Sequence, residues 1–187
     1  MYAAALAEAS FVDATKAWAK ESIESLAARG IVSGKGDGRF QPEDNVTRAE
    51  FITMLMNALE LTEDDATTDF SDVQAGAWYY DEVAAAQQLG IIKGRPDGSF
   101  GIQDEITRQD MVVMAYQAMT YAGLKLDKGI PTTFKDAATI SSYALEGVTA
   151  MHTAGMINGM GNGQFKPASK ATRAQAAVII YKILNVL

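Results

Sequence analysis

The chain has 187 residues, 48% of them hydrophobic, a formal charge of −7 and no cysteine. The acidic balance excludes a diffuse nucleic-acid-binding surface, and the missing cysteines exclude disulfides and thiolate chemistry. No run approaches the roughly 18 apolar residues of a membrane-spanning helix.

The start, MYAAALAEAS, is alanine-rich without a basic leading segment, so it is not a complete signal peptide, and a short helix packed on the first repeat is expected there. From Phe11 the chain repeats itself. One copy runs from Phe11 to Glu50, a second from Phe70 to Asp110 and a third from Phe134 to Gln175. Trp18, Trp78 and Tyr143 each precede Thr47, Thr107 and Thr172 by 29 positions. Length varies only before them: they follow Asp13, Asp72 and Asp136 by five, six and seven positions. That variable stretch reads as a surface loop and the constant remainder as one structural unit.

Within each copy the first element is a helix. Ile23, Leu26 and Ala27 recur at helical spacing, as do Val83 and Ala86, and Val148 and Met151. Gly30, Gly90 and Gly155 fall where a helix end favours a left-handed residue. Turn runs come next: GKGDGRF, GRPDGSF and GMGNGQF. Gly34, Gly38 and their counterparts are expected to supply positive φ, with Asp37, Asp97 and Asn162 closing Asx-turns and a very short bridge flanking each turn.

The second element is a helix opened by a capping box. Thr47 pairs with Glu50, Thr107 with Asp110 and Thr172 with Gln175, Asp110 being the weakest reciprocal partner. The bodies FITMLMNALEL, MVVMAYQAM and AAVIIYKILNVL are apolar nearly all round and belong in a core. The expected fold is mainly α: three helix-turn-helix units in residues 1–61, 62–123 and 124–187, around a central three-helix bundle. The connectors are TEDDATTD (Thr62–Asp69) and GLKLDKGIPTT (Gly123–Thr133).

Arg48, Arg108 and Arg173 each come directly after a capping threonine. A helix N-terminus disfavours a cation by roughly 0.3–1 kcal/mol, so this placement needs a reason. Pairing with Asp13, Asp72 or Asp136 is one. Binding an anion at the helix end, where unpaired N–H groups also point, is the other. Trp18 and Trp78, taken alone, read as core. GKGDG lacks the downstream ligands of a calcium loop and the Lys-Ser/Thr of a phosphate loop, so it reads as a turn. His152, the only histidine, reads as packing or surface, and no nucleophile–base set appears at a suggestive spacing. No metal or cofactor is expected.

F-x-D, an aromatic, G-[IV]-x-x-G, D-G-x-F-x-P and T-R-A-E together resemble the S-layer homology (SLH) domain, in three tandem copies covering nearly the whole chain. Copy two departs with Ile102 for proline, and copy three with Tyr143 for Trp and Asn162 for Asp. The resemblance implies a pseudo-threefold spindle with grooves between repeats, working as a non-catalytic anchor in the extracellular wall or S-layer of a Gram-positive bacterium. It implies a partner too: peptidoglycan-linked secondary cell wall polysaccharide bearing ketal-linked pyruvate on N-acetylmannosamine. Ligand contacts would then fall to Arg48, Trp18, Asp13 and Gly34. Their counterparts are Arg108, Trp78, Asp72 and Gly94 in copy two, and Arg173, Tyr143, Asp136 and Gly159 in copy three.

On this reading the arginine meets the pyruvate carboxylate and is dispensable for folding, and the copy-three site, with Tyr143 and Arg173, is the weakest. The alternative is a structural or protein-interaction module with the arginines in internal salt bridges. A folded monomer is expected, with no nucleic-acid or membrane partner.

Overall fold

The computed structural model describes residues 10–187, and the helix expected at the alanine-rich start lies outside them. Six α-helices occur among the described residues: α1 Ala17–Ala28, α2 Arg48–Ala58, α3 Tyr80–Gln88, α4 Arg108–Tyr121, α5 Leu145–Thr153 and α6 Arg173–Leu184. Extended pairing among them is limited to isolated bridges, two of which, Gly36–Arg39 and Met160–Gln164, close turns in copies one and three, while the copy-two turn lacks the bridge expected of it.

The first helix of each copy stops at its glycine for a local reason. Gly30, Gly90 and Gly155 have φ of +71 to +73°. In each case the glycine N–H and the next N–H turn back onto helix carbonyls, as in Gly30 to Ala27 and Ile31 to Leu26, both 2.9 Å. That is a Schellman ending. Gly38, Gly98 and Gly163 also take positive φ, whereas Gly34, Gly94 and Gly159 do not. The expectation for Gly34 and its counterparts is therefore corrected. They are glycines because of close approach: a Cβ on Gly34 would lie 2.8 Å from the Phe11 ring, and one on Gly159 would lie 3.1 Å from that of Phe134.

The second helices form the core. Phe51, Ile52, Leu55, Met56, Ala115, Ala118, Met119, Ile180 and Ile183 are all essentially inaccessible. Each threonine caps its helix by accepting from the third residue: Glu50 N–H at 3.1 Å, Asp110 N–H at 3.2 Å and Gln175 N–H at 3.3 Å. The reciprocal bond forms from Thr47 N–H to Glu50 and from Thr172 N–H to Gln175. The α4 cap lacks it, because an aspartate is one methylene shorter.

Just before the caps the three copies interlock. Val46 N–H donates to Ala171, Ala171 N–H to Ile106, and Ile106 N–H to Val46, at 2.9–3.0 Å. These residues are equivalent, and each is fully buried. A ring of identical bonds passing from copy to copy is compatible with a pseudo-threefold arrangement. Around it α2, α4 and α6 pack on one another. The outer helices are displaced by one copy: α3 packs on α2, α5 on α4, and α1 on α6. The two helices of one copy do not touch, so the constant part of the repeat is a unit of sequence rather than of packing.

Candidate functional site

The three arginines are buried, only 6–8% exposed, and each reaches into a neighbouring copy. Arg48 Nε donates to Phe100 O, Arg108 Nε to Phe165 O and Arg173 Nε to Phe40 O, at 2.8–3.0 Å. Each guanidinium also lies over the ring of that phenylalanine, 4.6–5.0 Å from its centroid. A second bond runs from Arg108 to Asn158 O and from Arg173 to Ser33 O. Burial lowers the pKa of each from the usual guanidinium value. All three nonetheless stay cationic.

The backbone at these helix ends is not free for a ligand. Arg48 N–H donates to Asp104, Arg108 N–H to Ser169 and Arg173 N–H to Asp44, at 2.8–2.9 Å. Gln109 and Ala174 N–H donate to Pro167 and Pro42. The expectation of unpaired N–H groups is corrected: the neighbouring copy's carbonyls have taken five of the six first and second N–H groups, Ala49 N–H being the exception among the described residues. What remains for an anion is the guanidinium edge and the helix dipole.

Asp13, Asp72 and Asp136 do not bind the arginines. Asp13 accepts from Phe40 and Gln41 N–H, Asp72 from Phe100, Gly101 and Ile102, and Asp136 from Phe165 and Lys166, at 2.7–2.9 Å. Partial burial pushes each carboxyl up, but these backbone donors outweigh it and hold all three below the usual carboxylate range. Phe11, Phe70 and Phe134 pack beside Phe40, Phe100 and Phe165 with ring centroids 5.4–5.5 Å apart. F-x-D thus ties down the segment after the turn, and the variable loop is absorbed between them.

Two cavities open between copies. One, of about 290 Å³, is lined by Gly34, Lys35 and Glu50 of copy one, Trp78 of copy two and Arg173 of copy three. The other, of about 580 Å³, is lined by Asn158, Gly159 and Gln175 of copy three, Trp18 of copy one and Arg108 of copy two. Trp18 and Trp78 are 53% and 63% exposed and stand at the rims, not in the core. Arg48 meets Asp110 and Tyr143 in the third equivalent position: its Nη1 lies 3.2 Å from Asp110 Oδ2, and Tyr143 Oη lies 2.6 Å from Asp110 Oδ1.

The structure therefore regroups the residues. Sequence reading placed Arg48 with Trp18, Asp13 and Gly34; instead Arg173 joins Gly34 and Trp78, Arg108 joins Gly159 and Trp18, and Arg48 joins Asp110 and Tyr143 beside Phe100, where the copy-two turn ends. Tyr143 thus stands with Arg48 and not with Arg173. Residues the sequence reading missed are the third positions of the second helices. Glu50 bonds Lys35 and Thr47 N–H, with Arg173 3.7 Å away. Burial opposes its ionisation, but Lys35 and Thr47 hold its pKa below the usual range. Gln175 is neutral, and no carboxylate among the described residues lies within ion-pair distance of Arg108. Their signal was the capping box itself, read only for its backbone bond. His152 packs on Phe134, with ring centroids 4.4 Å apart.

A family model of the S-layer homology domain matches residues 10–52, 69–112 and 133–177. An amylopullulanase of Thermoanaerobacterium thermosulfurigenes is 40% identical over 98% of this chain, covering 10% of its own length. The surface-layer 125 kDa protein of Lysinibacillus sphaericus is 32% identical over 90% of this chain and 14% of its own. The S-layer protein sap of Bacillus anthracis is 34% identical over 88% and 20%. The chain thus spans a tenth to a fifth of the length of these relatives.

Proposed function

From its membership of the S-layer homology domain family, we propose that this chain is a non-catalytic anchor holding pyruvylated secondary cell wall polysaccharide in the grooves between its repeats. The family's domains are cell-wall anchoring modules, and the relatives include S-layer proteins and an amylopullulanase, each matched over a tenth to a fifth of its length. An anchoring role at the surface of a Gram-positive cell fits a segment found in proteins of such different kinds.

One observation carries the ligand chemistry: an exposed indole and a buried guanidinium share one cavity, twice. A pyruvyl ketal presents a carboxylate to the guanidinium and a methyl group and sugar face to the indole. The buried cation is fixed by two carbonyls before any ligand arrives, so little side-chain freedom is lost on binding. The inter-repeat bonds of the arginines favour the structural reading as well, and a purely structural module would retain them without binding the wall. Sedimentation of the chain with purified wall, before and after chemical removal of pyruvate, separates the two. Binding before and loss after is expected; no binding, or binding indifferent to pyruvate, would overturn the proposal.

A further inference from the structure

We infer that the groove of Arg48 is latched shut by Asp110 and Tyr143, Asp110 standing where a ligand carboxylate would, so that the module has two open sites rather than three. The inference rests on the anchoring reading above. Two departures from the repeat pattern carry it. Asp110 replaces Glu at the third helix position of copy two, and Tyr143 replaces Trp in copy three. They lie 33 residues apart in sequence and meet in one groove.

The chemistry of each departure suits the latch. Glu50 is long enough to turn back to Thr47 N–H and Lys35, which holds it 3.7 Å from Arg173 Nη1, beyond hydrogen-bond reach, while Arg173 lines its cavity. Asp110 is too short to reach Thr107 N–H, and its carboxylate instead takes the Arg48 edge. Tyr143 Oη holds it there at 2.6 Å, whereas the equivalent Trp78 and Trp18 line open cavities. Burial and the Asp110 hydrogen bond push that phenol up to about 12, so it stays a donor at any physiological pH. Gln109 completes the clasp, donating to Tyr143 Oη at 3.0 Å and Ser141 Oγ at 3.1 Å and accepting from Ser141 N–H at 3.1 Å.

A carboxylate held in the same chain competes at high effective concentration and loses no translational freedom on binding. An incoming ligand would have to displace it and leave Asp110 beside its own negative charge. The Arg108 groove stands at the other extreme, with Gln175 in the corresponding place.

The test titrates the whole chain with the methyl glycoside of pyruvyl-ketal N-acetylmannosamine, which carries one carboxylate. Calorimetry counts sites while the side-chain Nε–H signals of the three arginines report which ones fill. Two sites per chain are expected, with Arg108 and Arg173 shifting and Arg48 unmoved. Asp110→Asn removes the competing charge, and Asp110→Glu lengthens the side chain so that it can close the capping box. Either is expected to raise the count to three and bring Arg48 into response. Three sites in the unaltered chain, or two in both variants with unchanged melts, would overturn the latch. Silence from all three arginines would instead overturn the anchoring reading and the latch with it, a pattern distinct from either.

Discussion

Arg48, Arg108 and Arg173 hold neighbouring copies together through buried bonds, so they are not the dispensable ligand contacts that their position at a helix end suggests. Arg173→Ala strands the Phe40 and Ser33 carbonyls. With charge-assisted bonds at about 1.5–3 kcal/mol each, it should lower the melting temperature as well as wall binding. Trp18→Ala offers the contrast. An indole 53% exposed at a cavity rim contributes little to the core, so its loss should weaken glycan binding several-fold while the melt stays within about 1–2 °C. Calorimetry and thermal melts on the same pair of variants check both statements. Acid should act through Asp13, Asp72 and Asp136. Their folded pKa values are depressed, so their contribution is present above the ordinary carboxylate range and disappears as pH falls through the folded values. Asp72→Asn should blunt that acid-side loss in melts recorded between about pH 2 and 5.

At the scale of single helices much was legible in the sequence. Capping threonines, Schellman glycines and all-round apolar bodies act over four or five residues, so local spacing reports them faithfully. Thr47→Ala, Thr107→Ala and Thr172→Ala should each cost about 0.5–2 kcal/mol, since each removes the same single bond, the hydroxyl accepting from the third residue's N–H. Urea denaturation of the three variants checks this. The composition of the grooves was not legible. Which arginine faces which aromatic depends on each first helix packing on the previous copy's second helix, a choice made between elements with similar apolar faces. Nor was the role of the F-x-D aspartate: its partners Phe40, Phe100 and Phe165 lie 27, 28 and 29 residues on, a separation that tracks the loop length and leaves no fixed spacing to notice.

For the molecule as a whole, the displaced packing makes the copies interdependent. α1 has its partner in α6, at the far end of the described chain, so the ring closes between first and last copies. A single copy presents two helices that do not touch each other. Residues 1–61 alone should therefore show little helix by circular dichroism at 25 °C, and a chain ending before Arg173 should lose protection of α1 in hydrogen exchange. A cooperative single copy would contradict the packing described.

The same displacement has a genetic consequence. Copy one lends its turn to one groove, Trp18 to a second and Arg48 to the third, and the other copies divide themselves likewise. The place of a codon within the repeat therefore decides which groove it alters, and the alleles of a groove are distributed over three stretches of the gene. Recombination that overwrote one copy with another would rewrite one wall of every groove at once. If copy one replaced copy two, Glu would stand for Asp110 in one groove, while the other two received the donor's Arg and Trp largely unchanged.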